Sequence, residues 1–439
     1  MGNYIPVTEN EKKEMLLAIG IDSIDALFGQ IPEEMIIKGG LDLPEGLSET
    51  LIHKKMTAMA EKNRVFKSLF RGAGAYQHYI PAIVKSITGK EAFLTAYTPY
   101  QAEVSQGILQ TIFEYQTMMC ELTGLDDSNA SVYDGATAAA EAIAMCKARK
   151  KNKALVSATA NPGVIETIKT YCHGNGMEVV VIPEKNGETN IELLKRQLDD
   201  GVACLYLQQP NYFGIIEAAE EISQLIHTVN GKLIMGVNPI AMAVLKTPAE
   251  CQADIAVGEG QPLGMPLGFG GPYLGFMTCK AEMTRKLPGR IVGETTDLEG
   301  KQAFVLTLQA REQHIRREKA ASNICSNQAL CAMTAAVYLT AVGPRGLKEA
   351  AIQSMSKAAY LKEQLAEIGY AAVFDKPFFN EFVTEAKGEP EKIMASLADN
   401  GILGGLPLTG EHMGHILWCC TEMNSKDEID TLIQILKEV

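Results

Sequence analysis

Apolar residues in the middle of this chain come in unbroken runs: Ala154-Leu155-Val156, Val179 to Ile182, Ala203 to Leu207 and Lys232 to Val237. A strand with one wet face alternates apolar and polar residues, so continuous runs predict strands covered on both sides. Between them lie amphipathic stretches, such as Asn190 to Leu198 and Glu217 to Val229, that predict helices. Such alternation implies right-handed crossovers and a mostly parallel sheet. Two further apolar runs, Asp254 to Val257 and Tyr273 to Cys279, bracket the loop GEGQPLGMPLGFGG. In an α/β chain a loop of this kind lies beyond a parallel strand's end, where ligands bind.

Upstream, Val104, Ile108, Ile112, Tyr115, Met119 and Leu122 recur every three or four residues and predict a long helix stopped by Gly124. The next segment, NASVYDGAT, leads into AAAEAIAMCKARKK, a second helix. Asp134 or Thr137 is expected to cap it, and the Lys/Arg run at its end to complement the negative pole. Gly135, Ala136 and Thr137 leave backbone N–H groups open to an anion, as phosphate is often held. A plain capped helix start accounts for the same residues. Two loops, RGAGAYQHY (71–79) and AYTPYQAEVSQG (96–107), set aromatic hydroxyls and amides among glycine or proline. That composition suits loops that present polar groups, with Tyr76 and His78 as candidates in the first.

Residues 281–330 are basic, with Arg285, Arg290, Arg311, Arg316, Arg317 and Lys319. They fit interface ion pairs or an anion clamp, the interface being favoured. A helix from Ser326 to Val342 closes at Gly343-Pro344. Then follow a helix (Leu347 to Gly369), a strand (Phe382-Val383), a helix (Pro390 to Asn400), a strand (Ile416 to Cys420) and a helix (Lys426 to Val439), a compact α+β pattern. The first 60 residues, punctuated by Pro6, Pro32 and Pro44, read as short helical pieces with small apolar plugs. Such an arm docks on its own domain or on a neighbouring subunit. The expected organisation is an arm (1–60), a large α/β domain (61–330) and a small α+β domain (331–439).

Composition narrows the function. The 439 residues carry a formal net charge of −13, which argues against nucleic acid as a partner. Nowhere does an apolar run reach the roughly 18 residues a membrane span needs. The start, MGNYIPVTENEKKEM, has neither a signal core nor transit-peptide character. Ten cysteines are scattered without a Cys-x-x-Cys pair, and adjacent Cys419 and Cys420 read as packing thiols. A reducing cytoplasm fits this usage, and no His/Cys spacing suggests a metal site.

The order of elements resembles the fold-type I pyridoxal-phosphate enzymes. Four motifs, YTPYQAEVSQG, NASVYDGATAAAEA, EGQPLGMPLGFGGPYLG and REQHIRREKAASNICSNQAL, are more narrowly similar to the P-proteins of the glycine cleavage system. The likeness is to the first chain of their two-chain bacterial form. It implies a pyridoxal-phosphate-transferase-like large domain and a role in decarboxylating glycine. It implies that an α2β2 assembly passes the aminomethyl group to the lipoyl H-protein, with the cofactor held on a lysine of the second subunit. At the lysine position this chain has Gln261, an amide that forms no imine, and at the acid position Asn238. By resemblance, Tyr97, Thr98, Tyr100, Gln101 and Glu103 are the candidates for reaching the partner's cofactor pocket. Their alternative role is to cap the following helix. A self-contained enzyme would need a displaced lysine, Lys246 or Lys280. A dinucleotide site at Gly268 to Gly275 is disfavoured, because that glycine loop precedes a strand rather than opening a helix.

Overall fold

The computed structural model describes residues 7–94, 98–308, 313–320, 322 and 324–438. The chain divides into two compact units, Met1–Val65 and Phe66–Val439.

In the first unit, α1 (Glu9–Ala18) and α2 (Glu49–Ala60) are joined by short 3-10 turns at Ile24–Phe28 and Glu33–Met35. Thr8 caps α1 in a reciprocal pair with Glu11, and Ser48 caps α2 through the Leu51 N–H. The expected short helical pieces are therefore present. Neither α1 nor α2 has a buried residue, so local capping rather than a core defines them.

The second unit is built on a seven-stranded sheet. In chain order its strands are β1 (Asp127–Ser128), β2 (Lys153–Ser157), β3 (Glu178–Ile182), β4 (Val202–Gln209), β5 (Lys232–Val237), β6 (Ile255–Glu259) and β7 (Gly275–Cys279). Their spatial order is β1-β7-β6-β5-β4-β2-β3, with β7 antiparallel to both neighbours and the remaining pairs parallel. Adjacent residues point to opposite faces, and each face has its own core. Leu155, Leu205, Leu233, Met235 and Phe276 pack on one side. Ala154, Val156, Tyr206, Ile234, Val257 and Met277 pack on the other. This is the physical origin of the continuous apolar runs.

The covering helices are α3 (Gln106–Thr123), α4 (Gly135–Cys146), α5 (Pro162–Asn175), α6 (Ile191–Gln197) and α7 (Ala219–Thr228). Gly124 ends α3 in the left-handed region at φ 72°, as its position predicted. Asp134 caps α4 through the Thr137 N–H, with Thr137 bonding back to the Asp134 N–H. The basic run does not extend α4. The helix stops at Cys146, and Ala148 and Lys151 pair across a tight turn instead, so no cation lies in its last turn.

Residues 281–330 hold a hairpin that the basic character of the segment concealed: β8 (Ile291–Thr296) against β9 (Gln302–Thr307). Val292 and Phe304 bury one face against Ile108, Leu109 and Ile112 of α3. The two expected helices around Gly343 form one element, α8 (Ala329–Glu367), broken at Gly343 by φ 62° and ψ 179°. By length and composition α8 could cross a membrane. Its Cys331, Ala332, Ala335, Ala336 and Tyr338 lie instead in the sheet's core.

The C-terminal part sets β10 (Glu381–Glu385), β11 (Leu406–Pro407) and β12 (His415–Cys419) in one sheet, beside α9 (Pro390–Asp399) and α10 (Lys426–Glu438). Trp418, Leu432 and Ile433 anchor its core. Ser68 and Leu69 pair in parallel with Ile402 and Leu403, so the chain just after the arm is tied to the C-terminal part. Cys419 and Cys420 are buried free thiols.

Candidate functional site

Beyond the carboxyl ends of β4, β5 and β6 lies a cavity of about 450 Å³. Sheet topology places it there, since the strand order turns at this point and the loops diverge. Its floor is Gly236 and Gly258, and Tyr206 stands over Gly236 so closely that a Cβ there would lie 2.1 Å from the Tyr206 hydroxyl.

Gly135 of α4 approaches the end of β6, and a Cβ on it would lie 2.8 Å from the Glu259 nitrogen. That approach lets the Gly135 N–H donate to Glu259 Oε2 at 3.0 Å. Oε1 of the same carboxylate accepts from the Gln261 N–H at 2.9 Å and from the Leu274 N–H at 3.1 Å. The helix N-terminus, with its positive pole, therefore already holds an anion, and that anion belongs to the protein. Burial pushes the Glu259 carboxyl up to about 7, against the pull of these three N–H groups.

Gln261 is almost fully buried. Its amide accepts from the Tyr76 N–H at 3.0 Å and donates to the Tyr76 carbonyl at 2.9 Å and the Met265 carbonyl at 2.7 Å. Asn238 folds back on its own backbone, accepting from the Ile240 N–H at 2.9 Å. The far wall comes from β10. The buried Glu381 carboxylate accepts from the Ala73 N–H at 2.6 Å and the Tyr76 hydroxyl at 2.7 Å. Burial raises Glu381 to about 7 as well.

Among the described residues, no lysine, arginine or histidine lines the cavity. Lys246 is paired with Glu220 at 2.7 Å and Lys280 with Asp254 at 2.9 Å. Neither displaced lysine reaches the cavity. Pyridoxal phosphate needs an amine for its aldehyde, an open anion cradle for its phosphate and an acid for its ring nitrogen. Here Gln261 is a fully engaged amide, the Gly135 N–H is taken by Glu259, and the Asn238 side chain is neutral. These residues do not fit the cofactor. Gly135 remains an anion-holding N–H, but the anion is internal.

The Tyr-Thr-Pro-Tyr-Gln loop lies elsewhere. Tyr97 falls outside the described residues. The Tyr100 hydroxyl accepts from Arg290 Nη2 at 2.9 Å and lies 3.1 Å from Cys325 Sγ, with Thr98 Oγ1 at 3.9 Å from the same sulfur. These hydroxyls and Arg290 hold the exposed Cys325 thiol below its ordinary pKa. Gln101 and Glu103 are exposed, and α3 begins at Gln106 behind Ser105, which makes no side-chain cap, so helix capping does not account for the loop. Arg290 thus serves this cluster, and Arg311 lies outside the described residues. In the other loop, Tyr76 enters the cavity wall and His78 pairs with Glu422 at 2.7 Å, away from it.

Sequence reasoning passed over Glu259, Glu381, Tyr206 and Cys325. Glu259 had a signal, an acid closing an apolar strand two residues before Gln261. Glu381 had none, because its place depends on how the C-terminal sheet packs.

A model of the family described as glycine cleavage system P-protein matches residues 2–436. The chain is 50% identical over 439 residues to a protein of Carboxydothermus hydrogenoformans named probable glycine dehydrogenase (decarboxylating) subunit 1, covering 99% of each. A crystal structure of glycine decarboxylase (P-protein) of the glycine cleavage system, in inhibitor-bound form, is 40% identical with a TM-score of 0.94 and is covered, as this chain is, over 100% of its length. A C-DES mutant with glycine covalently linked to its PLP cofactor shares the fold at a TM-score of 0.63 and 14% identity, over 87% of this chain and 98% of that one. The architecture is that of the fold-type I pyridoxal-phosphate enzymes.

Proposed function

Because this chain belongs to the glycine cleavage system P-protein family, as a component of a glycine dehydrogenase (decarboxylating), we propose that it supplies no covalent chemistry and completes the site of a second, cofactor-bearing subunit. In this reading an α2β2 assembly in the cytoplasm takes glycine as substrate, releases carbon dioxide and hands the aminomethyl group to the lipoyl H-protein. Pyridoxal phosphate, when bound on the partner, supplies the electron sink for decarboxylation.

The observation that carries this reading is the closed network around Gln261, with Glu259 seated on the Gly135 N–H. A chain that fills its own phosphate cradle with a carboxylate has no use for a phosphorylated cofactor there. What this chain offers a neighbour is the loop carrying Tyr97, Thr98, Tyr100, Gln101 and Glu103. Arg290 and the Tyr100 hydroxyl support its far end.

The test is reconstitution. The purified chain with added pyridoxal phosphate is expected to show no visible imine absorption and, after borohydride reduction, no labelled lysine. Mixed with a second subunit, it is expected to restore glycine–bicarbonate exchange. A stoichiometric lysine adduct on this chain, or exchange by this chain alone, overturns the proposal.

A further inference from the structure

The filled cradle does not fill the cavity. About 450 Å³ remains, within the range of small-molecule sites. The ionisable groups on its walls are Asp134, Glu259, Glu381 and the tyrosines Tyr76, Tyr206 and Tyr273. The titratable groups that face the two glutamates are also acidic or neutral: Asp134, Tyr115 and Cys331 around Glu259, and Tyr76, Tyr212 and Cys419 around Glu381. Among the described residues each Glu381 oxygen accepts one hydrogen bond, which leaves acceptor capacity on both. A second observation points to a ligand. Tyr206 is 3% exposed and lines the cavity, yet its hydroxyl has no hydrogen-bond partner among the described residues. That hydroxyl is not fully enclosed: it opens onto the cavity and can bond whatever occupies it.

We propose that this cavity binds a small organic ammonium ion, held by the Glu381 carboxylate and the Tyr206 hydroxyl among the tyrosine rings of its wall. An ammonium group brings donors and no acceptor, which matches walls rich in acceptors. Tyrosine faces attract organic cations, and desolvation strengthens that attraction. With Glu259 already on the α4 N-terminus and no lysine, arginine or histidine among the described lining residues, a phosphate or a carboxylate entering here meets like charge. Glycine, with its carboxylate, is therefore a poor occupant. The inference goes beyond the subunit reading and stands without it, since it concerns only this chain's own cavity.

Calorimetric titration of the full chain with ethylammonium chloride at about pH 8, above both glutamate values, tests it. Expected is saturable one-to-one binding, with glycine, inorganic phosphate, pyridoxal phosphate and sodium chloride giving none. Binding weakens as pH falls through about 7, because a protonated Glu381 carries no charge. Glu381→Gln is expected to weaken it about tenfold or more, the loss of one charge-assisted bond. Tyr206→Phe, which removes only the unpartnered hydroxyl, is expected to weaken it several-fold and, with melting as a check on folding, decides the matter if the glutamate variant unfolds. Absence of saturation at millimolar ethylammonium, equal binding of phosphate, or unchanged binding by the folded variants overturns the proposal.

Discussion

Both amide protons and the carbonyl oxygen of Gln261 are engaged, so a lysine there would have to replace a bidentate lock on Tyr76. Gln261→Lys leaves the Tyr76 N–H without its acceptor and buries an ammonium, which costs about 1–3 kcal/mol. The expected result is a lower melting temperature and still no imine band with pyridoxal phosphate, because Glu259 occupies the cradle. An imine band with glycine decarboxylation by this variant alone would sink that account. Burial shifts the Glu381 carboxyl upward, the opposite direction to an ion-paired carboxylate. Its value lies at about 7 against an ordinary 4.5, so between these values the native state holds a proton that the unfolded chain releases. Its contribution to stability is then lost as pH rises through that window. Glu381→Gln is expected to raise the unfolding free energy at about pH 8 by on the order of 1–3 kcal/mol, the gain vanishing near pH 4.5. A pH-independent difference in urea melts would contradict this.

Among the elements, α4 and α8 carry the clearest consequences. The Asp134 cap is the local signal that starts α4 and so points the Gly135 N–H at Glu259. Asp134→Ala is expected to cost about 1 kcal/mol in urea denaturation, the usual loss of an N-cap. Gly343, at φ 62° and ψ 179°, sits in a region that only glycine enters without strain. A Cβ at this position would have no atom within 4 Å, so Gly343→Ala meets no clash and any effect is backbone strain alone. The expected loss is about 1–3 kcal/mol. No change would mean that α8 tolerates a straighter path. The Asp134 start and the Gly343 break were legible in the chain, whereas the end of α4 was not. The hairpin of β8 and β9 was not either, since it lies in a basic segment and β8 runs out into the polar Glu294-Thr295-Thr296.

For the molecule as a whole, the first unit exposes Leu17, Met35, Ile37, Leu41 and Leu43, each more than 60% accessible. Apolar surface of this kind marks an interaction site on a protein that works in an assembly. Removing residues 1–65 is expected to leave the remainder folded, because α1 and α2 bury no residue of their own. The same truncation is expected to abolish association with the second subunit, read by size-exclusion chromatography. A truncated chain that still assembles would assign the interface to the second unit.

The alternation of strands and helices that builds the large sheet, the glycine that stops α3 and the loop after β6 were written in local patterns. Periodicity, caps and unbroken apolar runs act over a few residues and can be read without coordinates. Gln261 and Asn238 also stood out by residue type, once the family likeness supplied their positions. The acidic cavity could not be read this way. Glu259, Glu381 and Tyr206 come from β6, β10 and β4, and only the packing of the C-terminal sheet against the strand ends brings them around one space. Convergence of that kind depends on long-range packing, which residue spacing along the chain does not encode.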